Sequence, residues 1–205
     1  PCTDVSNKDL PEGLRRNFFE IYVDELDSSP QDLKTVVSTW LQGMGNSGDS
    51  ICNDVVKTYY ALKEATEAYQ LVDGEGRKPH ISLRTLTRAL RFTRKIAPYF
   101  GRIKRCILEG FLLSFFPPLS ATSKKDAIEI VGKTLLYDLT VSPAIFCSTL
   151  PTGFSNDFIC IEGFLVQKGS FPPNQITPNS FIVTPFVKDT LRQISRALMA
   201  AQHPI

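Results

Sequence analysis

Four basic side chains recur at helical spacing near the middle of the chain: Arg84, Arg88, Arg91 and Lys95. Residues 82–97 are predicted to form a helix, in which these four positions share one face and three leucines lie nearly opposite. A guanidinium group is a permanently charged planar fork that binds phosphate oxygens in pairs. The pattern predicts an anion site, with Arg84 in the first helical turn placed to reach across a cleft. The alternative is an ordinary solvated helix face, although such a face usually mixes charges of both signs.

Charge is distributed very unevenly along the 205 residues. Residues 77–105 hold ten of the 23 Lys/Arg and none of the 21 Asp/Glu, so the net charge of +2 hides an acidic remainder. A basic block on an acidic body indicates a local anion site or interface rather than a general nucleic-acid coat.

Other patterns give weaker chemical signals. Arg15 and Arg16 are adjacent and are candidates for an arginine finger, which supplies positive charge to a transferring phosphoryl group. An exposed turn is the alternative for them. Residues 127–134 loosely fit a P-loop, but a helix cap precedes them and alanine replaces the first glycine, so we interpret the match as chance. Asp4 and Asp9 show no metal-ligand spacing and are expected to lie in a loop.

The cysteines and histidines argue against several classes of site. Five scattered cysteines form no C-x-x-C pair, and the chain has only two histidines. A zinc site, a disulfide framework and a self-contained hydrolase are therefore not predicted, and a reducing intracellular compartment is favoured. No apolar run is long enough to span a bilayer, so no membrane partner is expected.

The elements that must position these residues are mainly helical. A short strand is predicted at 17–26, and helices at about 29–42, 50–70, 82–97, 98–116, 123–136 and 184–201. Ser29 and Thr184, each followed by proline, are the clearest N-caps. Residues 138–183 are rich in Pro, Gly and Asn and contain strand-like runs at 158–166 and 181–183. We place a domain boundary near residue 140.

Several segments resemble the midasin family of AAA+ ATPases. They are PCTDVSNKDLP (1–11), GLRRNFFE (13–20), RKPHISLRTLTRAL (77–90) and LEGFLLSF (108–115). The third is the most specific, and residues 184–205 look like the lead-in to a following module. Since these segments lie at the start, middle and end, the resemblance covers nearly the whole chain.

The resemblance implies a fold and a domain order. The fold class is mainly α: an AAA+ C-terminal helical lid subdomain with a short N-terminal strand and a small β-containing connector. Residues 1–27 would end an AAA+ core, 28–140 would form the lid, and 141–205 would be the connector and the first helix of the next module. We expect the chain to be a fragment of a longer protein.

The resemblance also implies roles for individual residues. Arg84 would be sensor 2, which contacts the γ-phosphate of ATP. Asn17 occupies the position of the family's arginine finger, so Arg15 or Arg16 would have to replace it. The whole protein would be an ATPase whose Mg²⁺ is held outside this chain. This chain alone lacks the Walker A and B elements and is expected to be inactive.

The wider role implied by the resemblance is removal of assembly factors from precursors of the large ribosomal subunit. The partners would be those precursors, their assembly factors and adjacent AAA+ modules of the same chain, in the nucleolus and nucleoplasm. From the residues alone, two alternatives stay open for the basic face of residues 77–105. It could bind nucleic-acid phosphates, which the scarcity of exposed aromatic residues disfavours, or it could be a protein–protein adaptor.

Overall fold

Helices form most of the described residues in a computed structural model, which describes residues 16–19, 21, 26–44, 48–100, 102–137, 158–168 and 182–200. The helices are α1 (Pro30–Leu41), α2 (Asp49–Glu67), α3 (Leu83–Phe100), α4 (Ile103–Ser114), α5 (Ala121–Val131) and α6 (Pro185–Ala200). A 3₁₀ turn, Leu26–Ser28, precedes α1, and a single π-helical segment, Gly132–Leu136, extends α5. This order confirms the mainly helical fold class.

Local capping explains where several helices begin. The Ser29 hydroxyl accepts a hydrogen bond from the Asp32 N–H at 3.4 Å, and Pro30 occupies the first helical position. Thr184 caps α6 in the same way, its hydroxyl accepting from the Val187 N–H at 3.3 Å. These caps satisfy backbone donors that the helix itself leaves unpaired, as the sequence predicted for both sites.

The main hydrophobic core lies between α1, α2, α3, α4 and α5. Its largest fully buried side chains include Leu33 of α1, Tyr59 of α2, Leu90 of α3 and Phe111 of α4. Each helix contributes residues three or four apart, which is the spacing that places them on one face. The five helices therefore form one helical body.

The two β-strands form an antiparallel hairpin. Strand β1 (Phe158–Ile161) pairs with β2 (Phe164–Gln167), with Phe158 opposite Gln167 and Ile161 opposite Phe164. The turn residues Glu162 and Gly163 both have positive φ, 49° and 87°, as a tight two-residue hairpin turn requires. The sequence predicted strand structure over 158–166, and the hairpin confirms it.

The hairpin and α6 pack against the helical body. Phe164 of β2 is buried in a second apolar cluster with Phe92 and Ile96 of α3 and Cys106 of α4. Met199 of α6 packs against the same cluster. The described parts of the expected connector are thus attached to the helical body. The predicted boundary near residue 140 lies outside the described residues.

Three sequence predictions need correction. The N-terminal strand was expected at 17–26, but its described ends are not strand: residues 17–18 lie in a turn and bend, residues 19 and 21 have no regular structure, and residue 26 begins the 3₁₀ turn. The other residues of that prediction lie outside the described part of the chain. Residues 182–183 of the second strand-like run also lie outside any strand. Pro98 was expected to begin a helix, but it lies in the last turn of α3, and α4 begins at Ile103. Near a helix end, proline removes one backbone hydrogen bond without breaking the preceding turns.

A buried carboxylate fixes the turn that leads into α1. Asp27 Oδ2 accepts hydrogen bonds from the Tyr59 hydroxyl at 2.6 Å and from Lys63 Nζ at 2.8 Å. The Tyr60 hydroxyl donates to the Asp27 carbonyl oxygen at 2.8 Å. Burial alone raises the pKa of the Asp27 carboxyl, but the bonds from Lys63 and Tyr59 outweigh it and lower the pKa below its ordinary value.

This arrangement predicts a pH-dependent contribution to stability. Since the folded pKa is depressed, the contribution is complete above the unfolded value of about 4 and is lost as pH falls through the folded value. Asp27→Asn should lower the free energy of unfolding by about 1.5–3 kcal/mol at pH 7. The difference from the parent should shrink below about pH 4. Urea unfolding at several pH values measures it, and Asp126→Asn, an exposed carboxylate on α5, serves as control. An unchanged difference at low pH would contradict the assignment.

Candidate functional site

The basic side chains of α3 lie on the exposed face of that helix. The exposed set is Arg84, Arg88, Arg91, Arg94 and Lys95. The opposite face is buried, with Leu86, Ala89, Thr93 and Ile96 turned into the protein. The sequence predicted this division, and the face of α3 carrying the exposed set is called the basic stripe below.

A close contact between α3 and α4 fixes the orientation of the stripe. Gly110 of α4 lies so near α3 that a Cβ there would come within 2.4 Å of the Ala89 carbonyl oxygen. The Thr93 hydroxyl lies 2.9 Å from the Ala89 carbonyl oxygen and 3.2 Å from that of Cys106, so it links the two helices. Backbone contact at this distance leaves little freedom for α3 to rotate.

The start of α3 is electrostatically unusual. A helix N-terminus carries partial positive charge and normally gains from an acidic residue in its first turn. The first turn of α3 has no acidic residue and instead contains Arg84, which is exposed. Among the described residues, no salt bridge compensates Arg84. An anion bound there would interact favourably with both the arginine and the helix end.

The loop before α3 is held in place on both sides. Asp73 Oδ1 accepts from the backbone N–H groups of Glu75 and Arg77, each at 2.8 Å. The Val72 N–H donates to the Ser123 hydroxyl at 2.9 Å, which ties the loop to the first turn of α5. The N-terminus of α3 is therefore positioned by the body of the domain and not by the stripe itself.

Other members of the basic block are engaged within the protein. Lys104 Nζ lies 3.2 Å from Asp54 Oδ2 and donates to the Leu135 carbonyl oxygen at 3.0 Å. The Tyr137 hydroxyl donates to Asp54 Oδ1, and this bond raises the pKa of Tyr137 above its ordinary value. The basic block of the sequence therefore does not act as one unit: the stripe is exposed, whereas Lys104 is held in a structural ion pair.

A buried ion triad joins the helical body to α6. Glu109 of α4 is fully buried, and its Oε2 accepts a hydrogen bond from Arg196 Nε at 2.7 Å. Its Oε1 lies 3.4 Å from Arg105 Nε, an ion-pair distance without hydrogen-bond alignment. The guanidinium carbon of Arg196 lies 5.2 Å from the ring centre of Phe164. The triad was not predicted from the sequence. The four-residue spacing of Arg105 and Glu109 indicates only the contact between those two.

The remaining candidate residues are placed as follows. Arg16 and Asn17 are exposed in a turn, while Arg15, Asp4 and Asp9 lie outside the described residues. The segment that resembled a P-loop is helical: Ala127 is buried, and the Thr134 hydroxyl lies 2.8 Å from that of Thr58. Its side chains pack within the protein, which agrees with a chance match.

The described residues contain neither a metal-binding cluster nor a membrane-spanning helix. No group of three or more His, Cys, Asp or Glu in the described ranges is arranged to hold a metal ion. No described helix is both long enough and apolar enough to cross a membrane.

Comparison with known proteins gives one family. The model of the midasin AAA lid domain matches residues 32–138. Midasin from Dictyostelium discoideum is 34% identical over 214 residues, which cover 100% of this chain and 4% of that protein. Midasin from Giardia intestinalis is 27% identical over 228 residues, covering 100% of this chain and 5% of that protein. This chain therefore spans about a twentieth of these relatives' length. No solved structure matches it.

Proposed function

This chain belongs to the midasin family, and on that premise we propose that it is the lid of an AAA+ ATPase in which Arg84 senses the phosphates of bound ATP. The observation that carries the proposal is the position of Arg84. It is exposed in the first turn of α3, at a helix N-terminus whose first turn has no acidic residue. Both features favour an anion at the same place.

The groups at the start of α3 fit ATP as a ligand. The Arg84 guanidinium can donate two parallel hydrogen bonds to phosphate oxygens. ATP supplies the negative charge that this site would neutralise and, in the whole enzyme, the free energy of hydrolysis. Arg84 would bind and orient the terminal phosphate, and the α3–α4 contact at Gly110 would hold the helix that carries it. Mg²⁺ would be bound by residues of the preceding core, outside this chain.

The proposal makes a more limited statement about the arginine-finger candidates. Arg16 lies in an exposed turn that a neighbouring module can approach, and Asn17 fills the position where the family has its finger arginine. We propose that Arg15 or Arg16 replaces the finger arginine and supplies positive charge to the nucleotide site of a neighbouring AAA+ module.

The sensor assignment is tested by replacing Arg84 with alanine in the full-length ATPase. Loss of one charge-assisted contact to phosphate should remove about 1.5–3 kcal/mol of ATP binding, roughly tenfold or more in affinity. ADP lacks the γ-phosphate and should lose much less. Isothermal titration calorimetry with ATP and with ADP measures the ratio of the two affinities directly.

The matched control is Arg94→Ala, an exposed arginine on the same helix but further from its N-terminus. That variant should bind ATP like the parent. If Arg84→Ala leaves the affinities for both nucleotides unchanged, or reduces them equally, the sensor assignment is wrong.

The wider role is proposed from family membership. The full-length protein would use ATP hydrolysis to remove assembly factors from precursors of the large ribosomal subunit in the nucleolus and nucleoplasm. Its partners would be those precursors, their assembly factors and the adjacent AAA+ modules of the same chain. The attachment of α6 to the lid through Arg196 and Glu109 supports a role in passing lid movement onward, because the joint is buried and charged.

A further inference from the structure

We propose that the part of the basic stripe beyond Arg84 is a docking surface for an acidic segment of a protein partner. The residues that would carry it are Arg88, Arg91 and Arg94, all exposed on α3. This surface is separate from the proposed contact between Arg84 and nucleotide.

The length of the stripe separates the two functions. A helix rises about 1.5 Å per residue, so Arg91 lies roughly 10 Å and Lys95 roughly 16 Å along the axis from Arg84. A phosphate group that contacts Arg84 does not also contact those side chains. The cations further along α3 therefore face a different ligand, and one that is extended along the helix.

No described carboxylate forms a salt bridge with the three arginines of this surface, whereas several cations elsewhere in the described residues are paired. In the described residues, acidic side chains pair with Lys34, Lys63, Lys104, Arg105, Lys133, Arg192 and Arg196. None of those described carboxylates pairs with Arg88, Arg91 or Arg94. Like charges three or four residues apart on a helix repel one another. An acidic partner would relieve that repulsion.

The chemistry of the surface favours carboxylates over nucleic acid. Single-stranded nucleic acid is bound through exposed aromatic rings on which bases stack. The described aromatic side chains of α3 are buried or half-buried: Phe92, Tyr99 and Phe100. A line of guanidinium groups at helical spacing matches carboxylates with the same spacing on an acidic segment.

The test uses this 205-residue chain and a labelled peptide of about 16 residues with glutamates three and four positions apart, so that they share one helical face. Fluorescence anisotropy at low salt should show binding that weakens as salt is added. The double reversal R88E/R91E should weaken binding about tenfold or more. The control reversal K57E/K125E changes two exposed lysines outside the stripe and should leave the affinity within about twofold. Thermal unfolding by circular dichroism checks that both variants remain folded.

Three results would overturn the proposal. The first is equal binding of a peptide in which every glutamate is replaced by glutamine, or no binding of either. The second is an equal loss in R88E/R91E and K57E/K125E. The third is tighter binding of a single-stranded RNA oligonucleotide that is lost in the same stripe variant, which would assign the surface to nucleic acid. Arg84→Ala should leave peptide binding within about twofold, so failure here is distinguishable from failure of the sensor assignment.

Discussion

Replacing Glu109 with glutamine is expected to destabilise the chain by about 3–5 kcal/mol, the cost of leaving buried cations uncompensated. Glu109 lies between Arg196 at 2.7 Å and Arg105 at 3.4 Å, and the three side chains are only 1%, 7% and 10% exposed. Glutamine keeps the shape of the side chain but removes the charge that both guanidinium groups face. Chemical denaturation at pH 7 measures the loss.

The matched control is Glu129→Gln. Glu129 also forms an ion pair with a cation four residues away, Lys133 at 2.6 Å, but that pair is exposed to solvent. Its removal should change stability little, because exposed pairs contribute little. The apolar triple variant R105M/E109L/R196M, which replaces the whole triad, should recover part of the stability lost in E109Q. Equal effects of E109Q and E129Q would show that the triad does not hold α6 to the lid.

A second large effect is expected at Gly110. Alanine normally stabilises a helix interior by up to about 1 kcal/mol over glycine. Here the added Cβ would lie 2.4 Å from the Ala89 carbonyl oxygen and 2.6 Å from the Thr93 hydroxyl. Backbone atoms cannot move aside as a flexible side chain does. Gly110→Ala should therefore destabilise the protein by about 3 kcal/mol, the upper end of the usual range for overpacking.

Gly74→Ala is the control for this substitution, because a Cβ at Gly74 would have no neighbour within 4 Å. Its stability should stay close to that of the parent. A stabilising effect of Gly110→Ala would mean that α3 and α4 are not in backbone contact, and the orientation of the stripe would then have to be reconsidered. Urea unfolding of both variants decides the matter.

Local signals in the sequence predicted the helices well where caps and periodicity coincide. Ser29–Pro30 and Thr184–Pro185 define helix starts through short-range hydrogen bonding, which depends on only a few neighbouring residues. The spacing of the leucines against that of the basic residues placed the faces of α3 correctly: Leu86 and Leu90 are buried, and Arg84 is exposed. Such features need no knowledge of distant parts of the chain.

The errors arose where distant residues decide the outcome. A proline often begins a helix, yet Pro98 is accommodated in the last turn of α3, whose buried face is held by packing. The exposed apolar residues Phe18 and Ile21 looked like strand residues, but a strand also needs a partner.

The candidate site was only partly predictable for the same reason. The basic face of α3 follows from periodicity alone. Which cations remain exposed does not, because Lys104 pairs with Asp54, 50 residues away, and Glu109 with Arg196, 87 residues away. The role proposed for Arg84 comes from the resemblance to the family and could not have been inferred from burial or periodicity.

The triad at Glu109 also sets an order of events during synthesis on the ribosome. Translation delivers Glu109 long before its partner Arg196, which is 87 residues further along the chain. Until α6 has emerged, Glu109 has only Arg105 of the triad beside it and lacks its hydrogen-bonded partner, so a buried carboxylate oxygen is not yet satisfied. The second apolar cluster is likewise incomplete until Phe164 has been synthesised. Completion of the lid is therefore a late step, coupled to the appearance of the segment that follows it.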